Sequence, residues 1–212
     1  MTSPVRLTYA FDAYCGWCYG FGPALHEFAQ ENVERIDLRV LSGGLFSGPG
    51  AKPINAYPHI PGANKRIAAL TGVTFGPGYE KVLAEGARVM DSTEAAVGLV
   101  ALRRRAPERP LALTAALQHA WYVDGKDLSD MEVYRSIATH LGLDADKVVA
   151  DFTDPATRVE AEADFRELRQ LGVDSYPTLL LHTGTGAHRL GGPISSAAAL
   201  TEGLDRHLAA TA

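Results

Sequence analysis

The sequence predicts an α/β protein in which a large all-helical insertion interrupts a small four-stranded core. Three observations carry this. The chain opens with a period-2 apolar segment, a helical pattern and a second apolar segment, the order of a parallel βαβ unit. Residues 63–152 then show helical periodicity and helix-capping signals. A long helix, two short strands joined by a turn and a last helix close the chain.

In the first strand Val5, Leu7, Tyr9 and Phe11 alternate with Arg6, Thr8 and Ala10, so at least one face is buried. From Cys15 to Asn32 the spacing turns helical, with Gly20, Gly22 and Pro23 marking an expected kink, and residues 36–41 read as the second strand. Residues 42–62 carry Gly43, Gly44, Gly48, Pro49, Gly50, Pro53, Pro58, Pro61 and Gly62, the punctuation of a long irregular loop. Helices are expected over 64–70, 79–89, 93–105, 111–123 and 129–141, with a short one from Asp146. Asp91 with Glu94 and Ser129 with Glu132 read as capping pairs, in which the first side chain accepts from backbone N–H groups and the Glu reaches back.

Asp154 and Pro155 open a long helix that places Ala161, Phe165 and Leu168 on one face, and Gly172 closes it. Residues 178–182 form a short apolar strand, 183–186 a turn, and 187–190 pair back; Ser195 or Ser196 caps a final helix to about Leu208. The expected division is therefore a discontinuous domain, 1–62 with 153–212, around an inserted helical subdomain, 63–152. Without the insert, four strands and three helices remain, the plan of a thioredoxin-like fold. The insert is expected to cap the edge where the first strand meets its helix, because the glycine-rich loop reaches the same edge.

Composition narrows the function. At 212 residues, 46% hydrophobic and 21% charged, the chain has the balance of an ordinary globular enzyme. A net charge of -5 argues against nucleic acid as partner, since phosphate binding needs clustered cations. The basic run Arg103-Arg104-Arg105, with Arg109 beyond, is expected to face the negative end of a helix dipole in preference to forming an anion site. The first residues show no basic segment followed by an apolar core, and no stretch is long enough to span a membrane, so a cytoplasmic location without membrane contact is expected. The seven histidines have no ligand spacing, and no metal is expected.

The chain has two cysteines, Cys15 and Cys18, three positions apart where the first strand passes into its helix. In a reducing compartment this spacing points to redox catalysis or metal binding, not to a structural disulfide. Thiol–disulfide exchange needs a thiolate attacker, and a cysteine at a helix start receives partial positive charge from the dipole and unpaired N–H groups. Cys15 holds that place and reads as the nucleophile. Cys18, one turn on and less exposed, reads as the thiol that resolves the mixed disulfide.

Tyr14-Cys15-Gly16-Trp17-Cys18-Tyr19-Gly20-Phe21, together with Gly172-Val173-Asp174-Ser175-Tyr176-Pro177-Thr178, resembles the DsbA family, in particular its cytoplasmic branch of FrnE-type disulfide isomerases. Gly43-Gly44-Leu45, residues 90–105 and residues 117–137 extend the resemblance over nearly the whole chain. It implies a DsbA-like thioredoxin fold and protein-disulfide oxidoreductase or isomerase activity through the CGWC motif. It also implies a cis Pro177 opposite the cysteines, leaving the backbone of Tyr176 free for an extended substrate, although X-Pro bonds in general are mostly trans. Gly16 and Trp17 replace the pair that in DsbA includes a His, which removes a cation beside the thiolate.

Tyr14, Trp17, Tyr19, Phe21 and Tyr176 form either an apolar rim for substrate or part of the core; Phe21 reads as core, Trp17 as surface, and the tyrosines are open. Gly16, Trp17, Tyr14 and Tyr176 are thus the candidate substrate contacts beside Cys15, Cys18 and Pro177. The expected partner is a protein or small-molecule disulfide, with glutathione a candidate exchange partner and no other cofactor, in a monomer or homodimer. Two other readings are a glutathione-dependent isomerase or transferase of the same fold and a module holding zinc or an iron–sulfur cluster on its CxxC.

Overall fold

The computed structural model describes residues 4–211. The extreme ends of the expected domain, residues 1–3 and 212, lie outside the described residues.

β1 (Val5–Phe11) leads through a turn into α1 (Gly16–Glu31), and β2 (Ile36–Ser42) returns parallel to β1, with Leu7 opposite Leu38 and Tyr9 opposite Val40. α1 runs through Pro23 as one helix, with Cys18, Phe21, Leu25 and Phe28 on its buried side. Segment 42–62 is more ordered than its composition suggests. It holds two 3-10 turns, Gly48–Gly50 and Ile54–Ala56, separated by β3 (Lys52–Pro53), which pairs antiparallel with β4 (Val89–Met90). α2 (Ile60–Thr71) starts inside the stretch expected as loop, because Pro61 suits a first helical turn that needs no N–H.

The insert continues with α3 (Pro77–Glu85), which precedes β4, then α4 (Ser92–Arg103), α5 (Pro110–Tyr122), α6 (Met131–His140) and α7 (Ala145–Thr153). Asp91 caps α4 as expected, accepting from Thr93 and Glu94 N–H. At α6 the cap is Asp130, accepting from Glu132 N–H, and not Ser129; both have a short acceptor side chain, and the helix starts one residue later than the Ser129 pairing requires.

α8 (Pro155–Gln170) begins with Asp154 accepting from Ala156 N–H and ends before Gly172, whose φ of 74° suits a residue without Cβ. β5 (Thr178–Thr183) and β6 (Gly186–Gly191) form an antiparallel hairpin, and α9 (Ala197–Thr211) ends the described chain. The sheet order is β2-β1-β5-β6, with β5 antiparallel to β1. The β alternation splits the core. Leu7, Tyr9, Phe11, Leu179 and Leu181 join α1, α9 and the insert in one apolar cluster, while Ala10, Leu41 and Leu180 meet Leu168 of α8 in another. This is a thioredoxin-like fold with a helical insertion, as the sequence predicts.

The basic run does not serve chiefly as a dipole partner. Arg103 bridges Asp164 and Glu160, Arg104 bridges Asp151, Asp154 and Glu160, and Arg105 bridges Asp151, so the end of α4 is tied to α7 and α8. The charges found nearer and better-oriented carboxylates on neighbouring helices. The insert does lie over the start of α1: a Cβ on Gly16 would stand 2.9 Å from Ile67 and 3.8 Å from the Tyr122 hydroxyl.

Candidate active site

β1 ends at Phe11, and the next residue builds the turn that presents the cysteines. Asp12 is 1% exposed; its carboxylate accepts from Tyr14 N–H at 3.0 Å and Leu45 N–H at 2.9 Å, and its carbonyl accepts from Cys15 N–H at 3.1 Å. One buried carboxylate thereby joins the turn before α1 to the loop after β2. Burial pushes that carboxyl up to about 6, against the pull of the Leu45, Ser92 and Tyr14 donors. Sequence reasoning passed over Asp12. The available signal was an Asp two residues before the N–H it captures, the spacing of an Asx-turn.

Cys15 is the N-cap of α1 with extended backbone, and its carbonyl accepts from Tyr19 N–H. Both cysteines are free thiols. Cys15 Sγ donates to the Tyr176 carbonyl at 3.4 Å across 161 residues of sequence, and the Tyr176–Pro177 peptide is cis. The structure therefore brings Cys15, Tyr176 and Pro177 together, as the resemblance implies. Cys18 is fully buried, and burial pushes its thiol well up, reinforced by the Cys15 sulfur beside it and opposed by the Asp12 N–H. The two thiols are thus placed asymmetrically, one facing the cis-proline loop and one sealed behind it. The Tyr9 hydroxyl points to the Cys18 carbonyl at 3.5 Å.

Two glycines set the spacing. Gly16, between the cysteines, allows Ile67 and Asn64 of α2 to approach, and Gly43 makes room for the Tyr176 ring, which would lie 2.2 Å from a Cβ there. Gly43 of the Gly43-Gly44-Leu45 segment thus has a steric task that the sequence could not reveal.

The aromatic residues divide. Phe21 is core and Trp17 half-buried at the surface, as expected. Tyr14, a candidate substrate contact, turns inward: it is 3% exposed and meets Trp121 edge-on at 4.8 Å and Phe46 at 6.4 Å, because the insert supplies an aromatic pocket beneath the turn. Tyr19 stacks on Tyr122 at 4.7 Å and donates to the Thr74 carbonyl, so it joins insert to core. Trp17 and Tyr176 remain at the rim, and Leu45, in the loop after β2, is 45% exposed. Arg66 of α2 stands 5.9 Å over the Trp17 ring. Among the described residues no group of three or more His, Cys, Asp or Glu is placed to hold a metal, and no helix is long and apolar enough to cross a membrane.

Residues 6–192 match the model of the DSBA-like thioredoxin domain. No curated protein matches the sequence. A putative protein disulfide isomerase from Nitrosomonas europaea superposes with a TM-score of 0.85 at 22% identity, covering 99% of this chain and 100% of that one. The cytosolic disulfide reductase DsbM from Pseudomonas aeruginosa gives 0.79 at 26% identity over 96% of this chain and 98% of its own, and has also been solved with GSH. A 2-hydroxychromene-2-carboxylate isomerase gives 0.63 at 14% identity, covering 97% of this chain and 95% of that one, a likeness of fold alone.

Proposed function

The chain belongs to the DSBA-like thioredoxin domain family, and from that premise we propose that it exchanges thiols and disulfides through Cys15 and Cys18. The observation that carries this is the contact of Cys15 Sγ with the Tyr176 carbonyl, beside a second thiol that is wholly buried.

In the reductive direction the Cys15 thiolate attacks one sulfur of a substrate disulfide. A bond forms between Cys15 and that sulfur, and the other substrate sulfur leaves as thiolate. Cys18 then loses its proton and attacks Cys15, releasing the second substrate thiolate and forming the Cys15–Cys18 disulfide. Two electrons pass from the dithiol to the substrate, and its two protons go to the departing thiolates. A small thiol such as glutathione, or a second dithiol, reverses the sequence and restores the reduced pair. Tyr176, with Pro177 behind it, lines the attacking sulfur, and Trp17 and Tyr176 flank the approach. The likeness to DsbM supports a cytosolic, reductive role and glutathione as exchange partner.

The test is trapping. Cys18→Ala is expected to hold a substrate disulfide as a stable mixed disulfide on Cys15, seen as a mass increase that dithiothreitol removes, because the intramolecular resolving thiol with its high effective concentration is gone. Cys15→Ala is expected to form no adduct and to lose insulin reduction. Adducts on Cys18 in the protein lacking Cys15, formed as fast as those on Cys15, would reverse the assignment.

A further inference from the structure

The segments that frame the cysteines are almost free of negative charge. Residues 13–26 and 38–79, which hold the CxxC, α2 and the loop between β2 and α2, contain no Asp or Glu, in a chain that has 25. The third framing segment, 172–192, contains Asp174 alone. Asp12, in the turn just before the cysteines, is buried and occupied by backbone donors.

Within these acid-poor segments α2 carries the exposed Arg66. Several other arginines are held by carboxylates: Arg35 by Asp205, Arg39 by Glu167, Arg103 by Asp164, Arg158 by Glu94. Arg66 has no carboxylate partner among the described residues, and its neighbour in space is the Trp17 ring, between the two cysteines in sequence. A guanidinium held over an indole face by a cation–π contact keeps its N–H groups available to a ligand. They suit a carboxylate, which takes two parallel N–H bonds. Cys15 itself is 5% exposed, so the sulfur that reaches it must sit on a slender chain.

We propose that Arg66 is the carboxylate-recognition residue of the cysteine site, selecting small disulfides that bear a carboxylate within a few bonds of sulfur. This rests on the thiol–disulfide reading above. Lys65, exposed beside it, adds to the same field, and Arg189 is engaged with the Ser175 and Thr178 hydroxyls on the other side of Tyr176. The overall charge of -5 would by itself repel such substrates, so any attraction must be local.

The experiment measures the second-order rate at which reduced protein is oxidised by 3,3′-dithiodipropionate, an anionic disulfide, and by bis(2-hydroxyethyl) disulfide, a neutral one. The ratio of the two rates is the readout. Arg66→Gln is expected to lower the anionic-to-neutral ratio about fivefold, the scale of one exposed charge-assisted contact. High salt should remove most of the difference between variant and wild type. Arg66→Lys should recover part of the ratio by charge alone. Lys126→Gln, which deletes an exposed cation on the connection between α5 and α6, should leave the ratio as in wild type. An unchanged ratio in Arg66→Gln, or an equal fall in Lys126→Gln, overturns the proposal while leaving disulfide exchange intact. Wild-type protein oxidised by neither probe overturns the underlying reading as well.

Discussion

At the scale of single residues Asp12 decides how the cysteine turn is held. Its carboxylate binds two N–H groups from segments separated by a helix and a strand, yet burial still raises its value from 3.8 to about 6. The folded protein therefore holds this proton more tightly than the unfolded chain. The corresponding stabilisation is complete below the unfolded value near 4 and is lost as pH rises through about 6. Asp12→Asn cannot ionise, so unfolding free energies from denaturant titrations should show the variant gaining about 2 kcal/mol on wild type between pH 4 and 7, on top of a constant offset from the lost acceptor. A difference that stays flat over that range would mean Asp12 titrates where a solvated carboxyl does.

Among elements, the joint between α4 and α8 carries the most concentrated polar network. Arg103 donates to Asp164, to Glu160 and to the Val40 carbonyl, while Asp164, 7% exposed at its side chain, also accepts from Ser42 N–H. The network thus links the insert to α8 and to the end of β2. Removing one partner of such a pair leaves an uncompensated charge in a dry site, which costs more than the pair itself is worth. Arg103→Leu is expected to destabilise by about 3 kcal/mol, and adding Asp164→Asn to that variant to restore roughly half, because Asn can still accept from Ser42. Additive losses in the double mutant, measured by chemical denaturation, would show that the two side chains act independently. The capping errors at α6 and the α2 start belong to this scale too: adjacent Ser129 and Asp130 compete on nearly equal local terms, and packing chooses.

For the whole molecule the reduction potential joins these parts. Cys15 stands at the start of α1 against the Tyr176 carbonyl, Gly16 and Trp17 supply no cation, and burial penalises charge on Cys18. Equilibration against glutathione couples should place the potential between about −270 mV, the thioredoxin value, and about −120 mV, that of DsbA; a value outside this interval refutes the balance of effects. The order of the four main-sheet strands and of the helices around them, the cysteine pair at the junction of β1 and α1, and the caps at Asp91 and Asp154 were legible in the sequence, whereas the small β3–β4 ribbon was not. Each depends on interactions within a few residues, where periodicity, dipole and hydrogen-bonding side chains act directly. Tertiary structure alone decided that Tyr14 turns inward onto Trp121, that Asp12 reaches Leu45, that Gly43 makes way for Tyr176, and that a cation absent from the motif arrives from α2 as Arg66. These pairings join residues tens to more than a hundred positions apart, and they are selected by burial and close packing of the assembled chain, for which local sequence carries no code.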